Sequence, residues 1–265
     1  MVAPAAPSVA QAAEADGDAV GFVVVRENGS GSASSAQSYL DTLLTSIAQR
    51  NGWASATGKY FTKRSKAKAY IEQTKPSFGF LSFGAYLGLR KASGLRPLAV
   101  ADAGLVGGAQ YFVISRNQFT LDGCKGKTLA SNHASDGRFV DAVVSGDAFD
   151  LSDFTLVTTR RPVQTIKAVI DGEAECALVD DAQIVAMANV EGGALLRPVW
   201  SSAELPAVVL VSFGSAPAEQ VSTFEGNIDS LCEGEGRKAC DAAGLQAPHK
   251  VAKDAFAAHE AAYDG

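Results

Sequence analysis

The sequence predicts an α/β protein of two lobes, each a mainly parallel sheet flanked by helices. Three observations predict it. Apolar runs of four to seven residues alternate with amphipathic helical patterns, as in parallel sheets covered on both faces. The length of 265 residues suits one large domain or two modest lobes. A strong strand pattern, "PAVVLVSF", comes late and is followed only by helical patterns, as when a chain returns to an earlier lobe and packs over it.

The elements follow in order. "GFVVVR" (21–26) reads as a strand. "SAQSYLDTLLTSIAQRNG" reads as a helix, because Tyr39, Leu40, Leu43, Leu44 and Ile47 recur at helical spacing. "FTKRSKAKAYIEQTK" is a second, basic-faced helix. "FGFLSF" is a strand, and "AYLGLRKASG" a short helix ended by Gly94. "RPLAVA" and "QYFVISR" are further strands. Strand–helix pairs then repeat: "KTLAS" with "DGRFVDAVVSG", "FTLVTT" with "RPVQTIKAVIDGE", and "CALVD" with "DAQIVAMANVEGG". Pro162 suits a first helical turn. "LLRPVW" closes the set, and after "PAVVLVSF" come the helical "APAEQVSTFEGNIDSLC", "GRKACDAAG" and "DAFAAHEAAYDG".

Composition narrows the function. The net charge is −6 with no basic run, which argues against nucleic acid, since phosphate neutralisation needs clustered Lys and Arg. No apolar run reaches the roughly 20 residues that span a bilayer. Residues 1–19 are Ala- and Pro-rich without apolar periodicity and read as a disordered leader. "VAQAAEAD" is like the small-residue end of a secretory signal, which fits an exported protein whose signal is gone; a cytosolic tail is the alternative. Cys232 and Cys240 sit eight apart, and such a loop can be closed by a disulfide in an oxidising compartment. Cys124 and Cys176 adjoin predicted strands and either pair or stay as buried thiols.

Signatures of catalysis are sparse. Among the histidines His133, His249 and His259, only His133, with Asp136 or Asp180, is a candidate for an acid–base set. No metalloprotease, nucleophile-elbow, phosphate-loop or dinucleotide motif occurs, and no cofactor is expected. The strand ends say more. The loop after "GFVVV" offers Asn28, Ser30, Ser32 and Ser34, and the one after "FGFLS" offers Phe83 and Tyr86. The loop after "KTLA" offers Ser131, Asn132, His133, Ser135, Asp136 and Gly137. Thr159 and Asp180 follow the next two strands. Each leads into a helix N-terminus, where free N–H groups and a partial positive charge suit an anion or polar headgroup. Asp180 could equally be a helix N-cap. Phe78, Phe80 and Phe83 are core or, in the case of Phe83 with Tyr86, the lining of an apolar pocket.

Over about 21–247 the chain resembles the phosphate/phosphonate-binding family of periplasmic solute-binding proteins of ABC transporters. The resemblance is carried by "SAQSYLDTLLTSIAQRNGW", "FGFLSFGAYLGL", "QYFVISR", "LDGCKGKTLASNHASDGRF", "TTRRPVQTIKAVIDGEAECALVDDAQ" and "SSAELPAVVLVSFG". It implies a type 2, Venus-flytrap fold. Lobe 1 would be 20–112 plus 209–265, lobe 2 would be 113–208, and hinge strands would lie near 112–116 and 207–211. It implies a non-enzymatic protein that captures a ligand between its lobes and delivers it to a membrane transport partner. In such proteins the loop matching 131–137 is rich in hydroxyls. Here Asp136 takes a hydroxyl's place, and a carboxylate ~4 Å from an anion costs roughly 4 kcal/mol at an effective dielectric near 20. A bulky apolar ligand such as a sterol or lipid is therefore an alternative to a phosphonate, and an extracytoplasmic sensor domain is a second alternative.

Overall fold

The computed structural model describes residues 19–28, 33–102 and 107–265. Two sheets carry the fold. The first has strand order β11-β4-β10-β3-β1-β2, built from β1 (Val20–Val25), β2 (Ala56–Phe61), β3 (Phe78–Leu81), β4 (Arg96–Asp102), β10 (Val208–Ser212) and β11 (Gln246–Lys250). The second has order β7-β6-β8-β5-β9, built from β5 (Tyr111–Ser115), β6 (Thr128–Ser131), β7 (Thr155–Thr158), β8 (Cys176–Asp180) and β9 (Arg197–Ser201). Helices α1 (Ala33–Asn51), α2 (Arg64–Thr74) and α3 (Phe83–Ser93) follow β1, β2 and β3. Helix α4 (Leu121–Cys124) precedes β6. Helix α5 (Gly137–Phe139) runs on as a π-helix over Val140–Val144, and α6 (Pro162–Ile170) and α7 (Asp181–Met187) flank β8. Helices α8 (Ala218–Asn227), α9 (Gly236–Ala243) and α10 (Ala257–Asp264) follow β10.

Both sheets are mixed rather than mainly parallel. β1 pairs in parallel with β2 and β3, and β6 with β7 and β8. The strands that arrive from the other lobe, β5 and β10, run antiparallel to their neighbours, as does β11 against β4. Two strands go beyond the sequence expectation. β2, "ATGKYF", is half-exposed and lacks an apolar run. β11, "QAPHK", breaks the expected all-helical C-terminal part; it holds Pro248, which an edge strand tolerates because it need not donate on that side.

β1 shows why these runs become buried strands. Phe22 and Val24 pack on one face with Leu40, Leu43, Leu44 and Ile47 of α1, while Val23 and Val25 pack on the other with Ala67 and Ile71 of α2. Tyr39, expected on the apolar stripe of α1, is 51% exposed, one position off the buried face. Phe78 and Phe80 join Phe22, Trp53 and Phe224 in an aromatic cluster. The cluster containing Val23 is continuous between the lobes through Phe83, Phe139 and Tyr111. Both cysteine pairs are disulfides, Cys124–Cys176 and Cys232–Cys240.

The expected hinge strands 112–116 and 207–211 coincide with β5 and β10, each of which pairs inside a single sheet. The chain crosses between sheets from Asp102 to Tyr111 and from Ser201 to Val208. The two crossings bond to each other. Leu205 N–H donates to Ala109 O and Ser202 N–H to Tyr111 O, both at 2.8 Å, and the Gln110 amide donates to Ser202 O. Asp181 Oδ1 accepts from the backbone N–H groups of Gly108, Ala109 and Gln110 at 2.7–3.3 Å, which fixes the first crossing to the start of α7.

Candidate functional site

The carboxyl ends of β1, β3, β6, β7 and β8 converge on a cleft between the sheets. Open α/β sheets place ligands at such ends. The cleft has two adjoining compartments that share Glu27, Asn28, Arg64, Ser135 and Asp136.

The inner compartment is small. It leaves about 40 Å³ for the centres of water-sized molecules, which is room for roughly three waters. Arg26 ends β1 and lines this space. It is 7% exposed, and among the described residues its side chain has no hydrogen bond or ion pair. Burial pulls its guanidinium below the ordinary arginine value, opposed by Tyr60 and then Asp180. Ser82 lies at the N-terminus of α3, and its buried hydroxyl has no partner among the described residues. Tyr111, Phe83 and Phe139 form the apolar wall.

Asp180 also lines this space and serves as the N-cap of α7. Its Oδ1 accepts from Gln183 N–H at 2.9 Å, and the Gln183 side chain returns the bond to Asp180 N–H, a capping box. Burial pushes the carboxyl above its ordinary value, and His133 opposes this. His133 Nε2 lies 2.8 Å from Gln183 Oε1 and 3.8 Å from Asp180 Oδ2. The Gln183 amide nitrogen is taken by Pro162 O, so its oxygen faces His133 and Nε2 must carry the hydrogen. That nitrogen is a donor to Gln183 rather than a free base.

The outer compartment is wider and rich in charged and hydroxyl side chains. Lys63, Arg64, Arg160 and Arg161 line it against only two carboxylates, Glu27 and Asp136. Thr158, Thr159, Ser65, Ser135 and the N-terminus of α6 complete it. Asn132 is 6% exposed; its Oδ1 accepts from Thr165, and its buried Nδ2 has no partner among the described residues.

Arg64 stands between the compartments. Its Nε donates to Glu27 Oε2 at 3.1 Å, its Nη1 lies 2.7 Å from Asp136 Oδ2, and it reaches the Tyr263 hydroxyl at 3.3 Å. Tyr263 donates in turn to Asp136 Oδ2 at 3.1 Å. Burial opposes the charge of Arg64, but Glu27 and then Asp136 outweigh it and hold the guanidinium above the usual arginine value. Asp136 is therefore not the unpaired repulsive charge that the sequence suggested. It also caps α5 by accepting from Phe139 N–H at 3.2 Å.

The sequence-expected residues divide among several fates. Asn28, Phe83, Asn132, His133, Ser135, Asp136, Thr159 and Asp180 line the cleft. Tyr86 does not; it is buried against Phe256 and donates to Glu260 of α10. Ser131 is spent on the turn, donating to Leu178 O and accepting from His133 N–H. Gly137 faces Leu151 and Asp141, and Ser34 is exposed on the first turn of α1. Ser30 and Ser32 lie outside the described residues. Sequence reasoning missed Arg26, Arg64, Ser82, Arg160 and Arg161. A lone Arg closing the apolar run "GFVVVR" was the available signal for Arg26.

No protein-family model and no curated protein matches the chain. Solved structures do match. XAC2383 from Xanthomonas citri, bound to chloride ion, aligns with a TM-score of 0.73 at 13% identity, covering 92% of this chain and 96% of that one. PhnD1 from Prochlorococcus marinus, in complex with methylphosphonate, gives 0.68 at 8% identity, covering 92% and 97%. A binding protein component of an ABC phosphonate transporter from Pseudomonas aeruginosa gives 0.66 at 14% identity, covering 90% and 83%. At these identities the likeness is one of architecture, and it agrees with the two mixed sheets and paired crossings: the chain has the two-lobed fold of type 2 periplasmic binding proteins.

Proposed function

We propose that the protein is an extracytoplasmic solute-binding protein that closes two lobes on a small oxyanion of the phosphonate or sulfonate kind and delivers it to a membrane transport partner. The observation that carries this reading is the outer groove, where four cationic side chains face two carboxylates between the lobes. The buried Asn132 amide, without a partner among the described residues, and the N-terminus of α6 add donors to the same groove. Two disulfides favour an oxidising compartment. No described helix is long and apolar enough to cross a membrane. Solved structures of this architecture include a phosphonate-transporter component and a methylphosphonate complex. Hinge bending would occur at the two crossings, which include 107–110 and 202–207.

The bulky apolar alternative has less support. It needs a wide cleft lined by aromatic groups, and among the described residues the wide compartment is lined by no aromatic side chain but by Arg, Lys, Glu, Asp, Thr, Ser and Asn with Pro162 and Val163. The test is calorimetry with phosphate, methylphosphonate and ethanesulfonate. Binding of at least one is expected, with a tenfold or greater loss in an Arg160→Ala/Arg161→Ala variant. Absence of binding by all three, together with a lipid or sterol recovered by native mass spectrometry after incubation with a lipid extract, would overturn the reading.

A further inference from the structure

The outer groove leaves the inner compartment without a role, yet that compartment is built from costly parts. Arg26 is a buried cation whose side chain is paired with nothing among the described residues. A buried charge is normally paired or hydrogen-bonded, because desolvation is expensive. The Ser82 hydroxyl, which lines the same space, is a second buried donor without a partner among the described residues. The N-terminus of α3, an eleven-residue helix, opens into the same space at Ser82, Phe83 and Gly84. A guanidinium, a hydroxyl and a helix N-terminus thus share one small room, and each is satisfied by the same chemistry, an oxygen anion. The neighbouring carboxylates meet that need only through space, Asp180 and Asp181 supporting the Arg26 charge without bonding to it. Glu27 and Asp136 are committed to Arg64, and Asp180 to the cap of α7. Burial also holds the Asp180 carboxyl above its ordinary value, against the pull of His133. The room is of the size of one small oxyanion group, and it adjoins the outer groove through Asn28, Ser135 and the Arg64 bridge.

We propose that the inner compartment is a second anion subsite, so that the ligand is two-headed: its larger head lies in the groove of Arg160 and Arg161, and a smaller oxyanion head, such as a carboxylate, meets Arg26 and Ser82. This rests on the oxyanion reading above. It assigns Arg26 a role in selecting ligand class, since a one-headed anion leaves it unpaired.

The experiment is paired calorimetry. Methylphosphonate and phosphonoacetate share the phosphonate head, and only the second carries a carboxylate. Ethanesulfonate and sulfoacetate form a second pair. In the wild-type protein the two-headed member is expected to bind at least ~10-fold more tightly, the order of one added charge-assisted bond. In Arg26→Gln that ratio falls to about one. Ser82→Ala, which removes only a hydroxyl, lowers the ratio in the same direction and covers the case in which Arg26→Gln fails to fold. Equal affinities within both pairs, or a ratio unchanged in Arg26→Gln and Ser82→Ala, overturn the second subsite while leaving the oxyanion reading intact. Binding of none of the four probes overturns the oxyanion reading and this inference together.

Discussion

Arg64 and Asp136, one from each lobe, meet at 2.7 Å across the cleft. The contact depends on a missing side chain: a Cβ at Gly88 of α3 would lie 2.2 Å from Arg64 Nη1. Glycine in a helix interior costs up to ~1 kcal/mol, and here it gives the guanidinium room to lie across the helix.

Removing Arg64 strands Glu27 and Asp136. Arg64→Ala is expected to lower unfolding stability by about 2 kcal/mol, between the values for exposed and buried pairs, because the side chains keep about a fifth of their exposure. It should also widen the lobes, read as a larger radius of gyration in X-ray scattering. Gly88→Ala should widen them too, despite its better helix propensity. An unchanged radius in both variants would show that the bridge does not hold the cleft.

Asp180 makes stability depend on pH in a defined sense. Its native carboxyl titrates above the ordinary aspartate value because of burial, so the native state holds a proton that the unfolded state has lost. In the window above about pH 4, stability therefore falls as pH rises until the native carboxyl ionises. Asp180→Asn preserves the cap and should flatten that part of the curve. Melting temperature against pH for the two proteins is the check, and parallel curves would contradict the assignment.

The two disulfides should differ in weight. Closing a loop of 52 residues removes more unfolded-chain entropy than closing one of 8. The chain-entropy relation gives about 4 and about 2.5 kcal/mol. A Cys124→Ser/Cys176→Ser variant is thus expected to melt at a lower temperature than Cys232→Ser/Cys240→Ser.

Gly107 has φ +80°, and a Cβ there would sit 2.6 Å from Asp180 Oδ2. Gly107→Ala should cost at least about 1–2 kcal/mol from the left-handed conformation alone. Denaturant unfolding of the variant beside the parent protein is the check.

Much of the fold was legible because its strands are apolar runs bounded by helix signals. β1, β3, β6, β8 and β10 could be read that way, and so could α1 and α6. β2 and β11 were not, since an edge strand needs no apolar face and β11 carries a proline. At the cleft, the loop positions Asn132, Ser135 and Thr159 could be found from strand ends. The cations could not: Arg64 belongs to what reads as a solvated basic helix, and only the approach of α2 and α5 turns it inward. Tyr86 misled because its helix packs against α10, a contact with no local signal. Asp136 misled because its partner is 72 positions away in the chain.

The two crossings between the sheets are stitched to each other, Ala109 to Leu205 and Tyr111 to Ser202, and the first is pinned by Asp181. Two separate tethers would let the halves twist and slide independently. On the hinge-bending reading proposed above, a bonded ribbon would leave essentially one angle free, like a door on a piano hinge. Labels placed anywhere on the two halves should then report the same curve of separation against ligand concentration, because there is a single coordinate for them to report.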